Sequence, residues 1–303
     1  MVFHPLSKEA LFFEIFVFWF NLTKDLEMSR KISQVFQDFY DAEVKRAYGD
    51  VSQLQDKVYT SGRIVGKRVY FRKKGKGMAT QHIPGADVTA MNVDYNQVAC
   101  DLEDWEAYDY VDKFDMKKIN FSEVTELAEV AAECLGLRID QIIIDKMAAG
   151  YDSTNMKVGT TNTALTVNTL IEACALLNKN GVPSTDRFFA HSATQLADLL
   201  KTTAVTSADY NSVKALVNGT VNSFLGLRFV LIANRDEGGL PVSGNDVTGF
   251  IWHKRAMGFS KAQDLETSMD WIAEKRAYLV GGDFSAGAVV IDDKGIVGVI
   301  SKK

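Results

Sequence analysis

Apolar positions along this chain repeat with two periods, and the change between them marks out its elements. In the stretch Lys31 to Gly49, Ile32, Val35, Phe36, Phe39, Tyr40 and Val44 fall three or four apart, which predicts a helix that stops at Gly49. The longest such run covers 122–149, where Val124, Leu127, Ala128, Ala131, Cys134, Leu135, Ile139 and Ile142 keep the spacing. Asn120-Phe-Ser-Glu123 in front of it has the form of a capping box. At 1.5 Å per residue this helix would be on the order of 40 Å long, a spine for other elements. A third helix is expected over about 166–180, with Leu170, Ala173, Cys174 and Leu177 on one face and Gly181 and Pro183 closing it. Ser192-Ala-Thr-Gln195 is a second capping box opening a helix through Leu200, and another helix is expected near 208–217.

Short apolar runs read as strands at Arg187 to Ala190, Arg228 to Asn234, Thr248 to His253, Ala277 to Val280, Gly287 to Ile291 and Ile296 to Ile300. Asp292-Asp-Lys-Gly295 between the last two predicts a β-hairpin turn. Strands alternating with helices imply a mixed α/β body. A longer hairpin is expected over about Ser61 to Val98, with valine, tyrosine and phenylalanine alternating along its arms and glycines and a proline at its tip, KKGKGMATQHIPGAD.

Charge changes the meaning of that hairpin. The 303 residues carry a net charge of −5, with 24% charged and 47% hydrophobic, an ordinary globular balance that gives no overall attraction to nucleic acid. Within it, Arg63, Lys67, Arg68, Arg72, Lys73, Lys74 and Lys76 form an all-basic run. Asp101, Glu103, Asp104, Glu106, Asp109, Asp112 and Asp115 form an acidic one broken only by Lys113. A long polar hairpin buries too little apolar surface to stand alone. The expectation is that Arg68, Arg72, Lys73, Lys74 and Lys76 lie against acids of a second copy. The candidate acids are Asp101, Glu103, Asp104 and Glu106, with Glu126 and Glu129 on the spine helix. Two other readings stay open: a solvated hairpin, and a nucleic-acid strand stacked on Tyr70 and Phe71.

Motifs of catalysis are absent from the sequence: no GxxxxGK[ST], no GxGxxG after a strand, no GxSxG and no HExxH. The cysteines Cys100, Cys134 and Cys174 and the histidines His4, His82, His191 and His253 show no metal-ligand spacing. Cys134 and Cys174 are expected to be buried on apolar helix faces. His191 beside Ser192, with Asp198 near, is read as a strand end followed by a helix cap. No catalytic, cofactor or metal residue is expected. The glycine-rich loop 234–245, with Arg235, Asp236 and Glu237, leaves an α/β small-molecule enzyme as the alternative. Near the start, Leu11 to Phe20 (LFFEIFVFWF) is too short to span a bilayer. It is read as an upstream extension before Met28, as an arm packing on a neighbour, or as a membrane element.

Several phrases resemble a known family. Met28 to Phe36 (MSRKISQVF), Gly66 to Arg72 (GKRVYFR), Asp186 to Leu200 (DRFFAHSATQLADLL) and Gly226 to Ala233 (GLRFVLIA), in this order of elements, are similar to the major capsid protein of tailed bacteriophages, of the podophage type. The resemblance covers roughly Met28 to Lys303. It implies an α+β fold of the tailed-phage and herpesvirus capsid type. In that fold 28–60 would be an N-terminal arm and 61–98 an extended loop over an adjacent subunit. Residues 99–164 and 261–303 would form a peripheral domain holding the spine helix, and 165–260 an axial domain; 1–27 fall outside the pattern. It further implies a non-enzymatic virion protein, assembled in the host bacterial cytoplasm and needing no cofactor. The implied partners are its own copies in hexamers and pentamers, a scaffolding protein, a portal complex and double-stranded DNA bound without sequence specificity, with no membrane. A bacterial nanocompartment shell would share the fold.

Overall fold

The computed structural model describes residues 52–60, 63–65, 67–75, 77–85, 87–88, 90–112, 123–201, 223–232 and 237–303. The expected helices at 31–49 and 208–217, the apolar run 11–20, the capping residues Asn120 to Ser122, and Lys76, Arg235 and Asp236 lie outside them.

The spine helix is present as α1, Glu123–Gly150. Its buried stripe, Ala131, Leu135, Ile139, Ile142, Ile143 and Met147, is the helical period seen in the sequence. Asp140 interrupts that stripe and is fully buried. Its carboxylate accepts from Ser52 Oγ at 3.0 Å, from the Gln53 amide at 3.1 Å and from the Leu54 amide at 3.0 Å. A buried acid is tolerable when donors surround it, and here the donors belong to an incoming segment that α1 thereby holds. The next residues are held too, because Trp252 Nε1 donates to the Lys57 carbonyl at 3.0 Å. Tyr59–Thr60 then forms strand β1.

Three sheets follow. One has four strands in the order β1, β12, β13, β5, where β12 is Met257–Ile272, β13 is Ala277–Val290 and β5 is Glu103–Asp112. Helix α1 packs on β13 and β5. A second sheet runs β6 (Lys157–Val158), β14 (Ile296–Lys302), β11 (Asp246–His253), β7 (Arg187–His191), β9 (Leu227–Leu231), β8 (Ser223–Phe224), with β10 (Val242–Ser243) also on β11. The third sheet holds β2 (Arg63–Val65), β3 (Arg68–Lys74) and β4 (Tyr95–Asp101). Helices α2, Val167–Lys179, and α3, Ala193–Lys201, complete the described elements.

The seven-stranded sheet separates two cores. Phe188, Phe250, Trp252 and Ile296 face the core shared with α1. Phe189, Ile251, Val297 and Val299 face the core under α2, with Leu170, Ala173 and Leu177. Every residue of β7 is buried for this reason, and covered faces on both sides explain its apolar centre, Phe188-Phe189-Ala190. The capping box at the start of α3 is reciprocal: the Gln195 amide donates to Ser192 Oγ at 3.2 Å, and the Ser192 amide donates to Gln195 Oε1 at 2.9 Å. His191 packs between the Phe189 and Phe229 rings, and burial lowers its pKa. His191 ends β7 and Ser192 caps α3, as the sequence reads.

Four expectations need correction. The runs Ala277 to Val280 and Gly287 to Ile291 are one strand, β13, continuous through Gly281, where a Cβ would come within 2.1 Å of the Ala107 carbonyl oxygen. Asp292 to Gly295 is not a hairpin turn. It passes the chain as a single 3-10 turn from β13 in one sheet to β14 in another. Strand β12 has no counterpart among the expected strands, because its KAQDLETSMD half is polar and crosses two register shifts between Lys261 and Glu266. Cys134 is exposed, Cys174 half-buried and Cys100 buried. The stripe through Ala131, Leu135 and Ile139 turns Cys134 outward, about 100° from Leu135.

Replacing Asp140 with alanine is expected to cost about 1–3 kcal/mol, since buried donors lose their acceptor. Amide exchange at Gln53 and Leu54 should rise at the same time. Unchanged melting together with unchanged exchange would show that Asp140 does not hold the segment.

Candidate functional site

The charged hairpin stands on a narrow base. Strand β3 pairs antiparallel with β4 from Arg68 opposite Asp101 to Lys74 opposite Tyr95. Val69 and Phe71 point inward and are buried with Cys100 and Ile291 in a small separate core. Arg68, Tyr70 and Arg72 alternate outward and are exposed. The same period turns Lys73 inward, where its Nζ lies 3.1 Å from Asp292 Oδ1 and 3.2 Å from Asp293 Oδ1. The 3-10 turn between the two large sheets therefore clasps the hairpin. A cleft of about 370 Å³ opens beside this clasp, lined by Lys73, Lys146, Gly150, Val290 and Asp293 among others. Gly287 allows the crossing: a Cβ there would come within 2.2 Å of the Asp101 carbonyl oxygen.

The acids expected to receive a neighbour's cations are partly engaged within the chain. Asp101 Oδ1 accepts from Arg68 Nε at 2.6 Å, directly across the ladder. Glu103 lies 3.4 Å from Lys146 of α1. Asp104 and Glu106 are exposed on β5, whose backbone pairs with β13 from Glu103 to Asp112. Glu126 and Glu129 are exposed on α1. Arg68, Lys73, Asp101 and Glu103 thus have partners in their own chain, while Arg72, Asp104, Glu106, Glu126 and Glu129 face solvent. Lys74 lies in β3 at its outer end, and Lys76 is outside the described residues.

One feature of the hairpin escaped the sequence reading. Beyond the Gly75 amide, which donates to the Asp94 carbonyl at 2.8 Å, the tip exposes apolar side chains. Met78 is 83% exposed, Ile83 64%, Val88 92% and Met91 58%. The glycines and the proline marked a turn, and the apolar residues interspersed among them were the available signal. The described part of the loop held as an enzymatic alternative, 237–245, begins docked on α1. Glu237 Oε1 meets Arg138 Nε at 2.8 Å, and the Gly238 amide donates to Gln141 Oε1 at 2.7 Å. Among the described residues no cluster of histidine, cysteine and acids could hold a metal, and no helix is long and apolar enough to cross a membrane.

The sequence matches the model of the phage capsid protein family over residues 32–302. The chain belongs to that family. Its fold is similar to the head protein of Helicobacter pylori bacteriophage KHP40, with a TM-score of 0.68 at 12% identity over 84% of this chain and 91% of that one. It is similar also to the capsid of the cyanophage P-SCSP1u, with a TM-score of 0.64 at 16% identity over 83% and 88%. A virus-like particle from Pyrococcus furiosus gives a TM-score of 0.60 at 12% identity over 88% and 99%. No curated protein matches the chain significantly. The capsid resemblance and the α+β tailed-phage capsid fold are borne out. The protein is a structural, non-enzymatic component of a virion shell.

In this capsid protein the clasp has a defined charge state. Burial alone lowers the pKa of Lys73, but hydrogen bonds and charge from Asp292 and Asp293 outweigh it and leave the pKa raised above 10.5. Burial alone raises the pKa of Asp293, and Lys73 outweighs it, leaving the pKa below 3.8. The lysine's contribution is complete below its ordinary value and is lost as pH climbs through the raised one. The aspartate's contribution is complete above its ordinary value and is lost as pH falls through the lowered one. The clasp should therefore hold steadily from about pH 5 to 9. All three side chains are more than a third exposed, so solvent screening leaves the pair about 0.2–1 kcal/mol.

The Lys73→Met variant should lose no more than that in global stability, yet exchange the β3 amides faster at pH 7. The wild type near pH 3 should approach the variant's rates. Equal exchange at both pH values would show the clasp holds nothing.

Proposed function

We propose that the protein is the major coat subunit of a tailed-phage head, closing as hexamers and pentamers into an icosahedral shell around double-stranded DNA. One observation carries the reading most strongly. The tip over 77–94 holds Met78, Ile83, Val88 and Met91 in water on a base too small to cover them. An apolar tip of this kind gains by lying on another subunit. Residues 61–98 act as the loop that reaches over that neighbour. Arg72 and the exposed acids Asp104, Glu106, Glu126 and Glu129 set register and direction more than strength.

In this reading 28–60 is the arm, 99–164 with 261–303 the peripheral domain, and 165–260 the axial domain around the symmetry axes. Strand β6 pairs with β14 and β14 with β11, so these two strands of the peripheral segments join the sheet that the axial domain builds. Assembly takes place in the bacterial cytoplasm with a scaffolding protein, and one vertex receives a portal complex. DNA contact is without sequence specificity, in keeping with a net charge of −5 and only local basic patches.

Expression of the full chain followed by negative-stain electron microscopy tests the reading, with closed shells as the expected result. Reversing Arg72 and Lys74 to glutamate, while sparing the clasping Lys73, should leave far-UV circular dichroism and melting unchanged and abolish closed shells. Normal particles from that double variant would refute charge-guided docking. A wild-type chain that stays monomeric with its scaffold present would refute the shell reading itself.

A further inference from the structure

The β8–β9 hairpin turns on two residues, Leu225 and Gly226, with Ser223 opposite Arg228 and Phe224 opposite Leu227. Their φ angles are +54° and +76°, the pattern of a type I′ turn. Such a turn favours asparagine, aspartate or glycine first and glycine second, because both residues sit in the left-handed region. Gly226 conforms. Leu225 does not: its Cβ crowds the following carbonyl, and its side chain offers no hydrogen bond in return. Among the described residues, the other non-glycines at positive φ are Asn92, Asn162, Asp186 and Arg276. Three of those four are side chains that tolerate this region by bonding locally. Leu225 is the one aliphatic, and it is 43% exposed, so much of it stands in water.

The turn is also braced. Arg228 Nη2 lies 3.7 Å from Asp186 Oδ1, and the same guanidinium stands 5.6 Å from the centre of the Phe188 ring. A Cβ on Gly226 would stand 3.6 Å from the Ser184 carbonyl oxygen, so the turn abuts that loop. The result is a rigid apolar knob beside a polar rim of Ser184, Asp186 and Arg228. An apolar centre with a polar rim is how interfaces are built, and a rigid knob loses little freedom on docking. Backbone strain in an exposed residue persists where function holds it.

We infer that Leu225 is an anchor that inserts into a second copy of this chain. The occupant is another copy because a subunit of the phage capsid family meets copies of itself around its periphery. The inference rests on the shell reading above and adds a named contact to it.

Three chains decide it: wild type, Leu225→Asn, which suits the turn but removes the knob, and Leu225→Met, which keeps an apolar knob. Unassembled Leu225→Asn should melt about 1–4 °C higher than wild type, the shift expected when a strained residue is relieved in a chain of this size. Its particle yield should fall at least tenfold, and Leu225→Met should assemble like wild type. Wild-type particle yield from Leu225→Asn would overturn the inference. So would a lower melting temperature for that variant, which would mean the leucine packs within its own chain. If wild type forms no particles at all, the shell reading fails, and the anchor is judged by sedimentation velocity. Concentration-dependent association that Leu225→Asn weakens supports it, and identical sedimentation of the two overturns it.

Discussion

Ile139, Ile143 and Met147 of α1 share one core with Phe250 and Trp252 of the seven-stranded sheet and with Val280 and Phe284 of the four-stranded one. The architecture depends on this shared burial. The seven-stranded sheet is apolar on both faces, so each face needs a cover. Helix α2 covers one face with Leu170, Ala173 and Leu177. The other is met by the core that α1 joins to β12 and β13. Asp140 then extends the hold to the incoming segment, since its donors at Ser52 to Leu54 bring Leu54 and Val58 into the same core.

Against that body the hairpin is lightly held. Its own core is little more than Val69, Phe71, Cys100 and Ile291, and burial there pushes the Cys100 thiol up to about 11, so the thiol stays protonated and inert. The inward turn of Lys73 onto Asp292 and Asp293 adds a screened clasp. A light hold on the base and an uncovered apolar tip are two sides of one design. In the shell reading proposed above, a neighbouring subunit would supply the surface that the tip lacks.

Much of this was legible in the chain. Helices α1, α2 and α3 came through because their apolar stripes keep the 3.6-residue period, because Gly181 and Pro183 close the second and because Ser192 caps the third. Strands β7 and β11 came through by their apolar centres, Phe188–Ala190 and Phe250–Trp252. What escaped has a common cause, which is that sequence period does not name a partner. The polar half of β12 has one face open to solvent and reads as loop. The runs Gly287 to Ile291 and Ile296 to Ile300 have equal strand character and a good turn between them, but each pairs with a different sheet. The type I′ turn at Leu225 was invisible for the opposite reason, as its first residue violates the turn's own preference.

The charge blocks show the division most plainly. The sequence by itself determined that a basic strand and an acidic strand lie close together, and that the chain resembles capsid proteins. Only the tertiary structure decided which charges remain to meet another molecule. Alternation along β3 turns Lys73 toward its own chain and leaves Arg72 outside, and the β3–β4 register sets Arg68 against Asp101. Residue order sets period and charge, but the direction in which a side chain points depends on which strand lies beside it, and that is set by the packing of the whole chain.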